Sequence, residues 1–201
     1  DGTLSSSVLV SDATVPAGYN LYAAGLCRPS EPGPGTWTAV AQLPYGSSSA
    51  CAATLGSYIY NIGGLDKSVQ VLTNVFRFNG MAWDEVIGLP TKLYEPLVCV
   101  YSNAIYVMGG RNDNNLTNNM FRFDGTNWTQ AGTLPTNIAS SGSAVLNGGL
   151  YIIGGTDNDA VGRWTTNAYR FNGTAWTEVR GLPAPRSYAG VATFNGKIYV
   201  A

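Results

Sequence analysis

Residues 96–110 read PLVCVYSNAIYVMGG, and residues 121–128 read FRFDGTNW. The first stretch is an apolar run that stops at Ser102-Asn103, a two-residue turn, and resumes from Ala104 to Met108. It ends at Gly109-Gly110, where the backbone can take φ > 0 or be closely approached. A polar loop over 111–118 follows. Phe121-Arg122-Phe123 then carries a third strand, Asp124-Gly125 marks a hairpin turn, and a fourth strand begins at Trp128. Nothing in this stretch has a helical period, so it reads as four short strands.

Working outward, the same stretch recurs. Trp37, Trp83, Trp128 and Trp176 are 46, 45 and 48 residues apart, and the Leu-Pro pairs ending at Pro44, Pro90, Pro135 and Pro183 keep the same intervals. Tyr60-Asn61-Ile62-Gly63-Gly64 and Tyr151-Ile152-Ile153-Gly154-Gly155 match the run at Tyr106, with Tyr22-Ala23-Ala24-Gly25 as a decayed copy. Asn79-Gly80 and Asn172-Gly173 fill the slot of Asp124-Gly125. A sheet of four short strands with two apolar faces cannot bury both by itself, so such units must stack on one another. The first copy departs from the pattern: Trp37 follows Tyr22 by 15 residues, against 23, 22 and 25 in the later copies. The linker Pro29-Ser30-Glu31-Pro32-Gly33-Pro34 is expected to replace its third strand, because proline removes ladder donors.

The linked markers, Gly-Gly, a variable loop, then Phe76, Phe121 or Tyr169 seven residues before a Trp, resemble kelch repeats over essentially the whole chain. The resemblance implies an all-β fold, a partial kelch-type β-propeller of about four blades of four-stranded antiparallel sheets, the first blade degenerate. The whole of 1–201 reads as one propeller segment, with units at approximately 4–44, 45–90, 91–135 and 136–183 and the start of a further blade at 184–201. Residues 4–25 and 187–201 both read as first and second strands, so they duplicate rather than complete each other. The expectation is a segment of a larger propeller, closed by its remaining blades or by a second chain.

Eleven Lys and Arg against twelve Asp and Glu give a net charge of -1, without the basic footprint that nucleic acid or an anionic membrane surface requires. No stretch approaches the roughly 20 apolar residues of a membrane span, so no membrane insertion is expected. The chain has no histidine, which excludes a Ser-His-Asp triad, a Cys-His pair and the usual His-containing zinc and copper sites within it. No cofactor or metal is expected. Cys27, Cys51 and Cys99 are too scattered for a metal knuckle, and Cys51 and Cys99 fall on first strands as small buried thiols. Asn115-Leu116-Thr117, Asn127-Trp128-Thr129 and Asn172-Gly173-Thr174 match the glycosylation acceptor pattern; with the low charge they tilt the setting toward extracellular over cytoplasmic.

In a four-strand meander the first and third turns share one edge, and here that edge holds only tight turns. The other edge holds the loops 65–74, 111–118 and 156–167 and the connections after each Leu-Pro, and binding residues concentrate on such loops. Its candidates are Lys92, Tyr94, Arg111, Asp113, Asp157, Asp159, Trp164, Arg186 and Tyr188. Asp157 and Asp159 suit a hard cation, or ordinary loop chemistry in which they bond local backbone. Trp164, outside the repeat, suits stacking on a sugar, anchoring a partner, or packing over its own blade. By resemblance, Arg186 looks into the central channel and binds anions or carbohydrate; a structural salt bridge is the favoured alternative. Arg77, Arg122 and Arg170 are expected to pair across the hairpin with Glu85, Gln130 and Glu178, two residues after each following Trp.

The function these features favour is a non-catalytic binding or scaffold module that presents long loops to a protein or glycan partner. The alternative is a carbohydrate-active enzyme, because kelch-type propellers also include a copper-radical sugar oxidase and sialic-acid mutarotases. The oxidase needs histidine ligands. Mutarotase-like or glycosidase-like chemistry needs only carboxylates and arginines around the channel, such as Glu95, Asp113 and Arg186. Whether Glu95, Asp113, Asp157, Arg111 and Arg186 converge separates the two readings.

Overall fold

The computed structural model describes residues 19–21, 27–29, 39–113, 115–158 and 163–201. They belong to two compact units, Asp1–Val40 with Ala201, and Ala41–Val200. In the first unit β1 (Tyr19–Leu21) pairs antiparallel with β2 (Cys27–Pro29). Tyr22–Gly25, Trp37 and the rest of the proline run lie outside the described residues. Of the linker expected in place of a strand only Pro29 is described: it takes the last register position of β2, opposite Tyr19, where a missing N–H is tolerated.

The second unit is built from repeated sheets. The first contains β3 (Cys51–Leu55), β4 (Tyr58–Ile62), β5 (Val75–Phe78) and β6 (Trp83–Val86), in that spatial order. The next contains β7 (Leu97–Tyr101) and β8 (Ala104–Met108), a small ribbon of β9 (Arg111–Asn112) and β10 (Asn115–Leu116), then β11 (Asn119–Phe123) and β12 (Trp128–Thr133). The third contains β13 (Gly142–Leu146) and β14 (Gly149–Ile153), a second ribbon of β15 (Thr156–Asn158) and β16 (Arg163–Trp164), then β17 (Ala168–Phe171) and β18 (Trp176–Val179). A hairpin of β19 (Val191–Phe194) and β20 (Lys197–Val200) follows. In each four-stranded sheet the strands run antiparallel in chain order, and β3, β7, β13 and β19 pack against one another as the innermost strands. Ser143 Oγ donates to the Val98 carbonyl (3.1 Å) and Thr193 Oγ1 to that of Val145 (3.1 Å), tying inner strand to inner strand. These are propeller blades, arranged here as an open series of sheets. No helix among the described residues is long and apolar enough to cross a membrane.

Two kinds of hairpin share the tight-turn edge. Ser102-Asn103, Asn147-Gly148 and Asn195-Gly196 have φ near +50° to +70° at both residues, the two-residue type I′ turn whose twist matches the strands. The Asn/Asp-Gly sites differ from expectation. The register Phe123↔Trp128 leaves a four-residue loop, and only its glycine has positive φ. Asp124 Oδ1 accepts from the amides of Thr126 and Asn127 (both 2.8 Å); Asn79 and Asn172 do the same for their loops. The side-chain acceptor, rather than left-handed backbone at both positions, makes these turns.

The core lies between blades. Ala104, Tyr106 and Met108 of β8 pack with Leu150, Ile152 and Phe171 of the following sheet. Ile105 and Val107, on the other pleat face, pack with Tyr60, Ile62 and Val75 of the preceding one. Every residue of β8 is buried, which explains its unbroken apolar sequence. Trp83, Trp128 and Trp176 are half-buried on outer strands and lie against the phenylalanine five residues earlier: Phe78 with Trp83 at 4.9 Å, Phe123 with Trp128 at 4.7 Å, Phe171 with Trp176 at 5.0 Å between centroids. Trp83 Nε1 donates to the Ala41 carbonyl (2.9 Å) and Trp128 Nε1 to that of Ile87 (3.1 Å), each four residues past the preceding Trp. The corresponding position for Trp176 is Gly132, where φ is 118° and the β11–β12 register shifts; Trp176 Nε1 is buried without a hydrogen-bond partner.

The double glycine clasps one blade to the next. Gly64, Gly110 and Gly155 donate their N–H to the carbonyls of Leu93, Ile138 and Arg186 (2.8, 2.8 and 2.6 Å). The glycine before each, at φ near +60°, sits so close to that same carbonyl that a Cβ would collide with it.

The expected pairing of the recurring arginines is corrected. Arg77 stands opposite Asp84 and Arg170 opposite Thr177, while Glu85 and Glu178 stand opposite Phe76 and Tyr169. A one-residue offset puts the two groups on opposite faces of the sheet. Arg77 reaches Asp84 across the hairpin (3.8 Å) and also lies over the second strand, its guanidinium 4.5 Å from the Tyr58 ring centroid, and a Cβ on Gly149 would touch Arg170 Nε. Glu85 accepts from Asn74 Nδ2 (2.6 Å).

Candidate functional site

Five residues after the proline of each Leu-Pro, the chain enters the inner strand through a residue in left-handed backbone that is not glycine: Ser49 (φ 53°), Glu95 (52°), Ser140 (54°) and Tyr188 (55°). Such a residue costs on the order of 1 kcal/mol and persists only where its surroundings hold it. Here the hold is a chain of backbone hydrogen bonds from blade to blade, Glu95 N–H to the Ser49 carbonyl (2.9 Å), Ser140 N–H to Glu95 (3.5 Å) and Tyr188 N–H to Ser140 (2.8 Å). The preceding residue bridges to the one after the double glycine, as Tyr94 does with Arg111 and Ala139 with Thr156. Both features converge on the loop edge, at the mouth of the space between the inner strands.

Glu95 occupies the centre of this mouth. Its Oε2 accepts from Ser140 Oγ (2.9 Å) and Arg111 Nε (3.2 Å), and its Oε1 accepts from Tyr188 Oη (2.8 Å). The Glu95 and Arg111 side chains are largely buried, a pairing that needs such additional hydrogen bonds to offset desolvation. Beside it, Thr156 Oγ1 and Ser187 Oγ are 3.0 Å apart. A groove of about 260 Å³ continues along the inner strands past Cys51, Pro96, Leu97, Ser141, Gly142 and Val191.

Cys51 Sγ donates to the Pro96 carbonyl (2.7 Å). Burial first, and then the negative charge of Glu95, push its thiol up to about 12, and burial raises Cys99 as well. Both thiols are half-buried on inner strands and free of disulfides; the side chain of Cys27 lies outside the described residues. Native protein is therefore expected to resist alkylation of Cys51 by iodoacetamide at pH 8 and to react on denaturation, as mass spectrometry of the digest would show. The folded thiol keeps its proton where the unfolded one loses it, so its contribution to stability is complete below about pH 8.5 and declines as pH rises toward 12.

The other expected site residues are distributed as follows. Tyr94 and Arg111 join the mouth through their backbone bridge, and Tyr188 through its hydroxyl. Lys92 is exposed on the connection leading to Glu95. The loop 111–118 is a ribbon, β9 with β10, turned by Asp113 at φ 51°, which stands exposed outside the Glu95 network. Asp157 is held bidentately by Arg163, Oδ1 to Nε and Oδ2 to Nη2, both 2.9 Å. Asp159 lies outside the described residues. Trp164 stands opposite Thr156 in the β15–β16 ribbon and is 58% exposed. Arg186 gives its carbonyl to Gly155, and its guanidinium donates to the Pro185 carbonyl (3.0 Å) in place of the favoured salt bridge. Of the five groups whose convergence was in question, Glu95 and Arg111 meet, Asp157 is engaged by Arg163, the Arg186 guanidinium bonds the Pro185 carbonyl, and Asp113 stands exposed. Ser140 was missed, although its spacing of 45 and 48 residues from Glu95 and Tyr188 carried the signal. No cluster of three metal-ligating side chains occurs among the described residues.

Comparison with known proteins agrees with this architecture. Residues 93–135 match the Kelch motif. The chain is 35% identical over 77 residues to a kelch domain-containing protein, SSO1033, of Saccharolobus solfataricus, an alignment covering 38% of this chain and 10% of that protein. Its fold is similar to the solved structure of YjhT, with a TM-score of 0.75 at 18% identity over 83% of this chain and 62% of that one. The chain thus spans a tenth of its curated relative and less than two thirds of its structural neighbour. Residues 93–135 thus carry a Kelch motif, and the sheets have the fold of kelch-type propeller blades.

Proposed function

We propose that the chain is a non-catalytic binding module that takes a protein or glycan ligand on its loop face, at the mouth where Glu95, Arg111, Ser140 and Tyr188 meet. The observation that supports this most strongly is that one largely buried carboxylate is held by donors from β9, from the entry to β13 and from the entry to β19, on a series of strained backbone positions. Strain sustained at repeated, polar, loop-face positions is characteristic of binding sites. Tyr188, 70% exposed, offers an aromatic surface at the rim. A hydrolytic or epimerising site would call for a second free carboxylate beside the arginine, and Asp157 is engaged by Arg163.

The test is a glycan array and a protein-capture screen, with each hit measured by calorimetry against Glu95→Gln and Tyr188→Ala. Both variants are expected to fold and to weaken binding at least about tenfold, the scale of one lost charge-assisted or aromatic contact. Ligands whose affinity neither variant changes would overturn the assignment, and so would turnover of a bound sugar.

A further inference from the structure

Trp164 differs from the periodic tryptophans whose positions are described. Trp83, Trp128 and Trp176 are half-buried and lie against a phenylalanine; Trp164 belongs to no repeat position and is largely exposed. Its base is rigid. Thr156, its cross-strand partner, is buried and exchanges backbone hydrogen bonds with Ala139 (2.8 and 3.1 Å), while the next residue, Thr165, is buried and donates to the Gly155 carbonyl (2.9 Å). Arg163 grips Asp157 with two bonds of 2.9 Å; the Asp157 side chain is only 6% exposed and that of Arg163 65%. The ion pair uses the Nε–Nη2 edge of the guanidinium, so Nη1 points away from the carboxylate. Thr156 also reaches Ser187 with its hydroxyl, and Ser187 precedes Tyr188. The strand that carries Trp164 is therefore linked to the polar mouth through Thr156 and Ser187.

We propose that Trp164 is an aromatic platform for one pyranose ring, lying beside the mouth and contributing to the same site. A pyranose carries C–H groups on one face and hydroxyls around its rim. The negative face of an indole suits the first, and the hydroxyls of Thr156, on the same face of the ribbon as Trp164, and of Ser187 and Tyr188 suit the second. An apolar protein contact fits less well, because closing over Trp164 would desolvate the neighbouring hydroxyls of Thr156 and Ser187 without supplying partners. The inference rests on the reading of the loop face as a binding surface and adds to it the class of ligand.

The experiment is nitrogen-15 NMR of the indole N–H signals, with Trp164 assigned from Trp164→Phe, during titration with methyl glycosides of galactose, glucose, mannose, N-acetylglucosamine and N-acetylneuraminic acid. At least one glycoside is expected to move the Trp164 signal saturably, and Trp164→Ala to weaken its binding about tenfold; the exposed position lets the variant fold. A glycoside that binds with an affinity sensitive to Glu95→Gln but not to Trp164→Ala would overturn the platform and leave the mouth standing. Failure of every glycoside to move the Trp164 signal would also overturn the platform, whatever protein the loop face captures. A Trp164-dependent glycoside indifferent to Glu95→Gln would support the platform and contradict the mouth.

Discussion

Gly109→Ala is expected to be among the most destabilising single-methyl changes in this chain. Gly109 has φ 58°, which costs an L-residue about 1–2 kcal/mol, and the new Cβ would collide with the Ile138 carbonyl, with Ile138 Cγ2 at 3.2 Å and Leu134 Cδ1 at 3.3 Å. Overpacking of this kind adds about 1–3 kcal/mol, and the obstacle is backbone that already accepts the Gly110 N–H at 2.8 Å. Neighbouring blades would have to separate to make room. Gly148→Ala supplies the control: its φ is 68°, and nothing lies within 4 Å of its would-be Cβ, so only the conformational penalty applies. Urea unfolding should show Gly109→Ala losing about 2–5 kcal/mol and Gly148→Ala about 1–2. Equal losses would show that the double glycine is needed for its turn alone and not for approach between blades.

Phe123→Ala is expected to cost about 3–5 kcal/mol. Phe123 is 1% exposed, stacks on Trp128 at 4.7 Å within its own hairpin, and meets Tyr60 of the preceding blade edge-on at 5.5 Å. Truncation would leave a cavity between two sheets whose strands cannot move independently, so little of it could collapse. Phe194, with a similar hairpin position in β19–β20 but half exposed, should lose no more than about 1 kcal/mol on the same change. Comparable losses at the two positions would place the core within blades rather than between them.

The blade pattern was legible because it rests on short-range chemistry that repeats. Turn dipeptides, apolar runs and Gly-Gly each bound one strand, and three coincident markers fixed the period. Two features were not legible. Arg77 and Glu85 fall on opposite faces of the sheet whether two or four residues turn the chain after Phe78, so their expected pairing missed the parity of the register rather than the turn type. The ribbons within 111–118 and 156–167 were likewise hidden, since two-residue strands leave no periodic trace. The site was half visible. Arg111 and Tyr188 stood out by residue type, whereas Ser140 matters by its place in the repeat, and a serine there resembles any loop serine. Asp157 was selected for its charge, which Arg163 neutralises.

The most direct test of the loop face as the binding surface is amide hydrogen exchange of the protein with and without the first ligand recovered from the array or capture screen. Protection is predicted at residues 93–95, 138–140 and 186–188 and in the β15–β16 ribbon, with the hairpins at 102–103, 147–148 and 195–196 unchanged. Protection confined to those hairpins, on the opposite edge of the blades, would contradict the account.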